Sequence, residues 1–221
     1  MGPLIKGSAA TIAVLFLSEI IYKLYLHWVS KQCKSSHNER EKKRDEIMEV
    51  FFFPDKTIAC KTHFLGETPC FKDKCKYSHE KTSLSELYRH LSSCRRTMDV
   101  CVFVLTCADL ADIIVTMHRR GVVVRIITDD EQVNISGSQI WRFRKEGIMV
   151  RTDNSSYNMH HKFVVVDCQL LINGSFNWTR QAITGNQENV FVTNNSKITK
   201  SFLEEFEKLW EQFDPKNQHR T

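Results

Sequence analysis

The segment from Met159 to Trp178 constrains this chain more strongly than any other part of its sequence. Within it, Phe163–Val166 is an apolar, β-branched run that is too short for a helix and is typical of a buried strand. His160 and Lys162 are two residues apart, so their side chains point the same way on extended backbone. The segment therefore predicts a nucleophile and a cation on one face, at one end of a strand.

This pair of side chains suits attack on a phosphate. An imidazole can act as a nucleophile or a general acid near neutral pH. A nearby ammonium and an Asn amide can hold the non-bridging phosphate oxygens as charge builds up on them. A His-x-Lys pair alone is usually an exposed strand edge, but here Asp167 and Gly174-Ser175-Phe176-Asn177 follow it. The combination predicts phosphoryl chemistry.

The spacing His-x-Lys-x4-Asp-x6-Gly-Ser-x-Asn resembles the signature of the phospholipase D superfamily and matches it without a departure. By this resemblance, His160 attacks phosphorus and forms a phosphohistidine. Lys162 and Asn177 bind the phosphoryl oxygens, and Asp167 supports the site.

The resemblance extends to two further residues of the predicted site. Ser175 belongs with the phosphate-binding residues, and Glu188 resembles the acidic residue that orients a catalytic His in this family. We therefore expect catalytic roles for His160, Lys162, Asp167 and Glu188. The resemblance implies no catalytic metal.

The size and composition of the chain suit one α/β domain with attachments. Of its 221 residues, 42% are hydrophobic and 26% are charged, which is enough to bury one such core. Predicted strands at 50–54, 100–105, 122–127, 148–151, 163–166 and 189–193 alternate with predicted helices from Ser83 and at 109–120, 138–145 and 197–213. The alternation predicts a mixed β-sheet sandwiched by helices, of the phospholipase D type, over residues 47–221.

Charge is a weaker guide to function. The net charge of +5 is compatible with a polyanionic substrate but does not require one. Asp129, Asp130 and Glu131 form an acidic run after a predicted strand. Adjacent acids on a loop are usually solvated, so we expect no metal site there.

The N-terminal region predicts a membrane anchor. Residues 4–29 are apolar and aromatic over about the length of a membrane helix, although Glu19, Lys23 and His27 interrupt them. A cleaved signal peptide lacks a clear cleavage site here, and a transit peptide would be rich in Arg. An ordinary core helix is the remaining alternative. We expect an anchor at residues 1–30.

The residues after the predicted anchor give its orientation. Residues 31–46 form a polar linker that is rich in Lys and Arg, whereas Lys6 is the one basic residue before the uncharged centre of the apolar segment at residues 9–17. The positive-inside tendency then leaves the catalytic part in the cytosol. A short anchor with a basic flank resembles those of outer mitochondrial membrane proteins, which implies that location.

Residues 60–79 contain a Cys-x9-Cys-x4-Cys-x3-His pattern formed by Cys60, Cys70, Cys75 and His79. Three thiolates and one imidazole complete a tetrahedral zinc shell without an open position, so the predicted zinc is structural. His63 is an alternative nitrogen ligand, and buried thiols in a loop are the alternative to a metal site. The pattern resembles an atypical CCCH zinc finger, and such fingers often bind RNA.

The other informative cysteines are Cys94, Cys101, Cys107 and Cys168. They lie in or beside apolar segments and lack the spacing of a disulfide framework. We therefore expect four buried free thiols.

The motif occurs once, whereas the superfamily mechanism uses one His as nucleophile and another as acid for the leaving oxygen. His161 cannot be the second, because adjacent residues of a strand face opposite sides of the sheet. The sequence therefore predicts a C2 homodimer in which two His160 side chains meet across the axis.

A single motif, an N-terminal anchor and an inserted Cys/His finger together resemble one branch of the superfamily. The resemblance implies two substrates, cardiolipin cleaved to phosphatidic acid and single-stranded RNA cut in Piwi-interacting RNA production, with proteins of that pathway as partners. Arg142, Arg144 and Arg151 favour RNA slightly. The non-enzymatic alternative is a membrane-tethered RNA-binding scaffold with an inactive site.

Overall fold

The computed structural model describes Leu17, Ile20 and Leu24 and residues 45–217 without Glu67, Pro69 and Asp73. The chain forms two compact units, Met1–Asp45 and Glu46–Thr221. Nearly all of the predicted anchor and of the predicted linker lies outside the described residues. Within the part that is described, no helix is both long and apolar enough to cross a membrane.

A seven-stranded mixed sheet organises the second unit, in the order β1-β7-β6-β5-β2-β3-β4. β2, β3 and β4 are parallel, and the other neighbouring pairs are antiparallel. The strands are β1 (Met48–Phe53), β2 (Thr97–Val102), β3 (Val123–Thr128), β4 (Met149–Thr152), β5 (Lys162–Val166), β6 (Leu170–Gly174) and β7 (Glu188–Thr193).

Helices cover both faces of this sheet, as predicted. They are α1 (Lys61–Leu65), α2 (Ser83–Ser92), α3 (Ala108–Arg119), α4 (Ile140–Lys145), α5 (Arg180–Thr184) and α6 (Ser196–Gln212). Residues of α2 to α5 join one core cluster, and residues of α6 join the cluster on the opposite face.

Strand β5 lies in the middle of the sheet and is buried on both faces. Val164 and Val166 enter the first core cluster, whereas Phe163 and Val165 pack in the second, against α6. A strand with two buried faces has a continuous apolar sequence instead of an alternating one. This explains the run at Phe163–Val166, and it fixes the segment that carries the motif.

Strand β6 was not predicted from the sequence. Three residues join it to β5, and the first two have positive φ, 51° at Asp167 and 57° at Cys168. Gln169 N–H donates to Val166 O at 3.0 Å. Turns of this type usually contain Asn-Gly or Asp-Gly, because both residues need positive φ. An Asp-Cys pair therefore gave no hairpin signal.

The sequence Ser83-Leu84-Ser85-Glu86 has the pattern of a capping box, but Ser83 is not the N-cap residue of α2. Thr82 is the N-cap residue, and it forms a reciprocal capping box with Ser85. The N–H groups of Ser83 and Leu84 donate to the two carboxylate oxygens of Asp55, at 3.0 and 2.9 Å. A residue from a preceding loop thus satisfies the Ser83 N–H, which the capping-box pattern alone would pair with Glu86.

The cysteine expectation is correct in part. Cys94, Cys101 and Cys107 are free and buried. Cys168 is disulfide-bonded, so the expectation of a free thiol there is wrong. Spacing along the chain does not report which sulfur atoms meet in space.

Candidate active site

The motif residues gather where four strands end at one edge of the sheet. Lys162, the first residue of β5, pairs with Val102, the last residue of β2. On the other side of β5, Gly174 ends β6 and pairs with Val190, two residues after β7 begins at Glu188. Antiparallel pairing therefore brings distant parts of the sequence to one place.

His160 and Lys162 share one aromatic neighbour, Phe103, which directly follows β2. The rings of His160 and Phe103 have their centroids 4.8 Å apart. Lys162 Nζ lies 5.1 Å from the centroid of the same ring and donates a hydrogen bond to His160 O at 2.7 Å. The imidazole and the ammonium thus lie on the same side of the chain, and the His160 side chain is exposed to solvent.

Phe103 is a site residue that sequence analysis missed. Its backbone N–H donates to His161 O at 2.9 Å, which fixes the backbone between His160 and Lys162. Its ring contacts the side chains of both residues. A Phe at the end of an apolar strand carries no functional signal in the sequence. Only the pairing of β2 with β5 reveals the contact.

His161 faces away from this site, as expected for the neighbour of His160. Its ring packs against Phe163 with centroids 5.5 Å apart, and its Nε2 lies 3.9 Å from Glu205 on α6. Burial lowers the pKa of His161. This imidazole is turned toward the second core cluster.

The surroundings of Lys162 alter its protonation. Partial burial lowers the pKa of the ammonium, whereas the Glu188 carboxylate acts to raise it. The interaction links the first residue of β5 electrostatically to the first residue of β7.

Ser175 and Glu188 are in direct contact. Ser175 Oγ donates to Glu188 and accepts from Asn189 N–H at 3.1 Å, and Asn186 Nδ2 donates to Glu188 at 3.0 Å. Gly174 permits this close approach, because a Cβ there would lie 2.0 Å from Asn189 O. The hydrogen bonds of the Glu188 carboxylate within the chain thus go to Ser175 and Asn186.

Asn177 lies between two buried aromatic residues, Phe176 and Trp178. Its Oδ1 is buried without a hydrogen-bond partner, which is uncommon for a polar atom outside a functional site. Trp178 O accepts from the N–H groups of Thr106 and Cys107, at 2.9 and 2.7 Å. The loop that follows β2 therefore fixes the backbone next to Asn177.

Asp167 does not join these residues. It follows the last residue of β5, so the whole strand separates it from Lys162. Its carboxylate accepts from the N–H groups of Arg95, Arg96 and Thr97, at 3.0, 2.7 and 3.0 Å. The structure thus places Asp167 apart from the other motif residues, and its carboxylate holds the entry to β2.

The predicted zinc ligands lie together. One donor atom from each of Cys60, Cys70, Cys75 and His79 lies within 4.8 Å of the others. The Sγ atoms of Cys60 and Cys75 are 3.8 Å apart. A tetrahedron with Zn–S bonds of about 2.3 Å has edges of about 3.8 Å, so this spacing fits zinc.

The nitrogen donor of this cluster is His79. Its Nε2 and the Nδ1 of His63 are both buried without a hydrogen-bond partner, and a ring nitrogen of His79 lies within 4.8 Å of all three sulfur atoms. The His63 ring stacks on the His79 ring with centroids 4.4 Å apart and an angle of 6° between the planes. The alternative ligand is therefore a neighbour that packs on His79.

The acidic run after β3 is more buried than expected. Asp129 is 2% exposed and Asp153 is 3% exposed, so the expectation of a solvated loop is wrong for Asp129. Asp153 accepts from Asp130 N–H at 3.1 Å. Burial, together with the charges of Asp129 and Asp130, raises the pKa of Asp153 to about 6. Asp153 follows β4 in the chain, so the acidic run Asp129–Glu131 alone could not show that Asp153 lies beside it.

Two of the three arginines expected to favour RNA have acidic partners. Arg142 pairs with Asp112 at 2.6 Å, and Arg151 pairs with Asp214 at 2.6 Å while lying over Trp210. Arg144 lies over the ring of Trp141. The predicted basic face is thus partly neutralised, because counter-ions distant in sequence are close in space.

The fold, with His160 and Lys162 at one strand end beside Ser175, Asn177 and Glu188, defines a phosphodiesterase of the phospholipase D superfamily. Residues 87–210 match the family described as "Cardiolipin synthase, PLD-like domain", and the chain belongs to this family.

Curated relatives agree with this assignment. The chain is 46% identical over 167 residues to a protein of Chlamydomonas reinhardtii called mitochondrial cardiolipin hydrolase, covering 76% of this chain and 74% of that one. It is 39% identical over 209 residues to a protein of the same name from Danio rerio, covering 92% and 88% of the two chains.

A solved structure shows the same fold. Nuc, a phospholipase D family member from Salmonella typhimurium, superposes with a TM-score of 0.61 at 24% identity, and the match covers 77% of this chain and 97% of Nuc. At this identity the likeness concerns the fold alone.

Proposed function

We propose that this protein hydrolyses phosphodiesters without a catalytic metal, through a covalent phosphohistidine on His160. The observation that carries the proposal is the shared placement of the His160 imidazole and the Lys162 ammonium around Phe103. A nucleophile beside a fixed cation is what attack on an anionic diester requires.

The proposed reaction has two displacements at phosphorus. A ring nitrogen of His160 attacks, the bond from phosphorus to the leaving oxygen breaks, and a general acid protonates that oxygen. Water then attacks the phosphohistidine, the P–N bond breaks, and the phosphomonoester leaves with His160 restored. The same acid, now deprotonated, accepts the proton of the water.

The neighbouring residues have distinct proposed roles. Lys162 and Asn177 neutralise and hold the non-bridging oxygens as negative charge grows, with Ser175 beside them. Glu188 orients a catalytic imidazole, the role that the superfamily resemblance implies, and its charge opposes the loss of the proton from Lys162.

The general acid is proposed to be His160 of a second copy, in a C2 homodimer. Among the described residues, the other histidines have contacts away from His160. His161 faces α6, and His90 is buried beside Glu49. His118 lies in the last turn of α3 near Gly147, and the rings of His63 and His79 stack in the finger. A second copy supplies the missing imidazole without another motif.

The cluster formed by Cys60, Cys70, Cys75 and His79 is proposed to hold a structural zinc. Its four donors leave no position for water, so the metal would order residues 60–79 without entering the reaction. Lys61, which begins α1 next to Cys60, pairs with Asp109 and Asp112 at the start of α3. These ion pairs fasten the finger to the body of the domain.

The proposed location is the mitochondrial outer membrane, with residues 1–30 as a single-pass anchor and residues 47–221 in the cytosol. The names of the curated relatives support the organelle. The apolar sequence of residues 4–29 and its basic flank support the anchor.

Cardiolipin is the first proposed substrate, and it would be hydrolysed to phosphatidic acid. The names of the relatives and the proposed membrane location support it. Single-stranded RNA is the second, following the resemblance to the Zucchini endonuclease of the Piwi-interacting RNA pathway. The finger favours RNA, because Phe71 is 80% exposed and Tyr77 is 36% exposed, where bases can stack.

The experiment uses the full chain with cardiolipin vesicles and, separately, with labelled single-stranded RNA. We expect hydrolysis that persists in EDTA and is lost in His160→Ala and Lys162→Ala. A zinc-loaded control distinguishes loss of the finger from loss of a catalytic metal. A folded, zinc-loaded protein that binds RNA but cleaves neither substrate would favour the membrane-tethered scaffold instead.

A further inference from the structure

The segment that contains His160 is held from two sides by the ends of parallel strands. Phe103 directly follows β2, and its N–H donates to His161 O at 2.9 Å. Asp129 directly follows β3, and its Oδ2 accepts from Met159 N–H at 3.1 Å. The residues before and after His160 are therefore both fixed, each by one strand end.

The two strand ends are also joined to each other. Thr128, the last residue of β3, donates its hydroxyl to Phe103 O at 2.9 Å. The contacts that Asp129 and Phe103 make with the His160 segment therefore move together, because both residues belong to one rigid edge of the sheet. Any displacement of Asp129 is expected to reach the peptide of His160.

The Asp129 carboxylate uses both of its oxygens for backbone donors. Oδ2 accepts from Met159 N–H, and Oδ1 accepts from Glu131 N–H at 3.1 Å. An ionised carboxylate is acceptor-only at both oxygens, whereas an Asn amide has a single acceptor oxygen. The site therefore requires a carboxylate and cannot be matched fully by Asn.

The chain reaches His160 from an exposed loop. Residues 154–158 are exposed, and Tyr157 in this loop is among the most exposed large side chains of the described residues. Burial begins at Met159, whose Sδ lies 3.5 Å from Cys101 Sγ. The Asp129 hydrogen bond is thus made to the first buried residue after the exposed loop.

We propose that Asp129 is a positioning residue, which fixes the His160 imidazole for attack by holding the Met159 amide. The inference rests on the proposed function, in which His160 is the nucleophile. Nucleophilic attack depends steeply on geometry, so a displacement of about 1 Å can cost about a hundredfold in rate. Asp129 contacts no reacting group itself and acts through the backbone.

The test measures kcat and KM of the full-length protein with bis(p-nitrophenyl) phosphate, a generic diester, together with hydrogen exchange at the Met159 amide. In Asp129→Ala we expect kcat to fall about ten- to a hundredfold, KM to stay nearly unchanged, and the Met159 amide to lose its protection. Asp129→Asn should be intermediate in both quantities. Glu131→Ala is the matched control, since that exposed carboxylate lies two residues away and the change keeps its backbone N–H.

The proposal requires kcat to follow Met159 protection across these variants. A lost amide bond with an unchanged kcat would overturn it, and so would a reduced kcat with the Met159 amide still protected. If the Ala variant does not fold, Asp129→Asn gives the same comparison.

Failure of the proposed function would look different. A wild-type protein without diesterase activity, or an active His160→Ala variant, would remove the nucleophile role. Met159 exchange and the NMR line width of the His160 ring would still report whether Asp129 fixes this segment.

Discussion

At one end of β5, His160 and Lys162 turn toward a junction of strand ends that solvent can reach. At the other end, the Asp167 carboxylate turns inward and accepts from three backbone N–H groups. All three residues belong to one motif, yet the strand between them is buried on both faces. The comparison teaches that a motif can combine reacting groups with groups that only hold the scaffold, and that substitutions should separate the two.

Replacing His160 should have the largest effect on activity and almost none on stability. His160→Asn removes the proposed nucleophile, and we expect diester hydrolysis to fall by at least about a thousandfold. Because the side chain is exposed, the melting temperature should stay within about 1 °C of the wild type. Initial rates and thermal unfolding measure the two quantities. A variant that keeps a tenth of the activity would show that another group attacks phosphorus.

Replacing Asp167 should produce the opposite pattern. Asp167→Ala leaves the N–H groups of Arg95, Arg96 and Thr97 without their carboxylate, and hydrogen bonds to a charged group contribute about 1.5–3 kcal/mol each. Because Arg95 and Arg96 are exposed and water can replace the carboxylate there, we expect less than the full sum. The expected loss is about 3 kcal/mol in the free energy of unfolding, or roughly 6–12 °C in melting temperature.

Activity provides the check on the Asp167 comparison. Per folded molecule, kcat of Asp167→Ala should stay within about threefold of the wild type. Asp167→Asn is the milder control, because Asn tolerates the positive φ at this position and keeps one acceptor. A variant of normal stability that has lost its activity would place Asp167 among the reacting groups.

Asp153 should show a smaller, pH-dependent effect at the reactive end. Its pKa is raised from 3.8 to about 6, so the ionised form is disfavoured in the folded state. Its contribution to stability is present below pH 4 and is lost as the pH rises through about 6.

The variant Asp153→Asn removes this titration and keeps an acceptor for Asp130 N–H. At pH 7.5 we expect it to be more stable than the wild type by about 1 kcal/mol, after allowance for solvent screening. Near pH 4 the two proteins should melt together. Thermal unfolding at both pH values measures the difference, and an equal gap at both would exclude proton linkage as its cause.

The sequence predicted the elements whose signals are local. The buried strand at Phe163–Val166 and the apolar stripe of α6 follow from periodicity, and the Cys/His cluster follows from ligand spacing. What could not be predicted depends on contacts between distant segments. Phe103 reaches His160 only because β2 pairs with β5, and Asp129 reaches Met159 only because β3 ends beside them.

The same physical reason explains the corrections. Asp129 was expected to be solvated, and Arg142 and Arg151 were expected to favour RNA. The residues that bury Asp129 and the acidic partners of the two arginines are far away in the sequence, so the local sequence could not reveal them. Asp167 matched the motif, but the motif does not state at which end of the strand each member acts.

The most direct test of this account is to trap the covalent intermediate. The full-length protein would be mixed with bis(p-nitrophenyl) phosphate and quenched during turnover in alkaline denaturant, which preserves phosphohistidine, before peptide mass spectrometry. The account predicts a p-nitrophenyl phosphoryl group on His160, with none on His161, which faces α6. Turnover without an adduct on His160, or with the adduct on another residue, would contradict it.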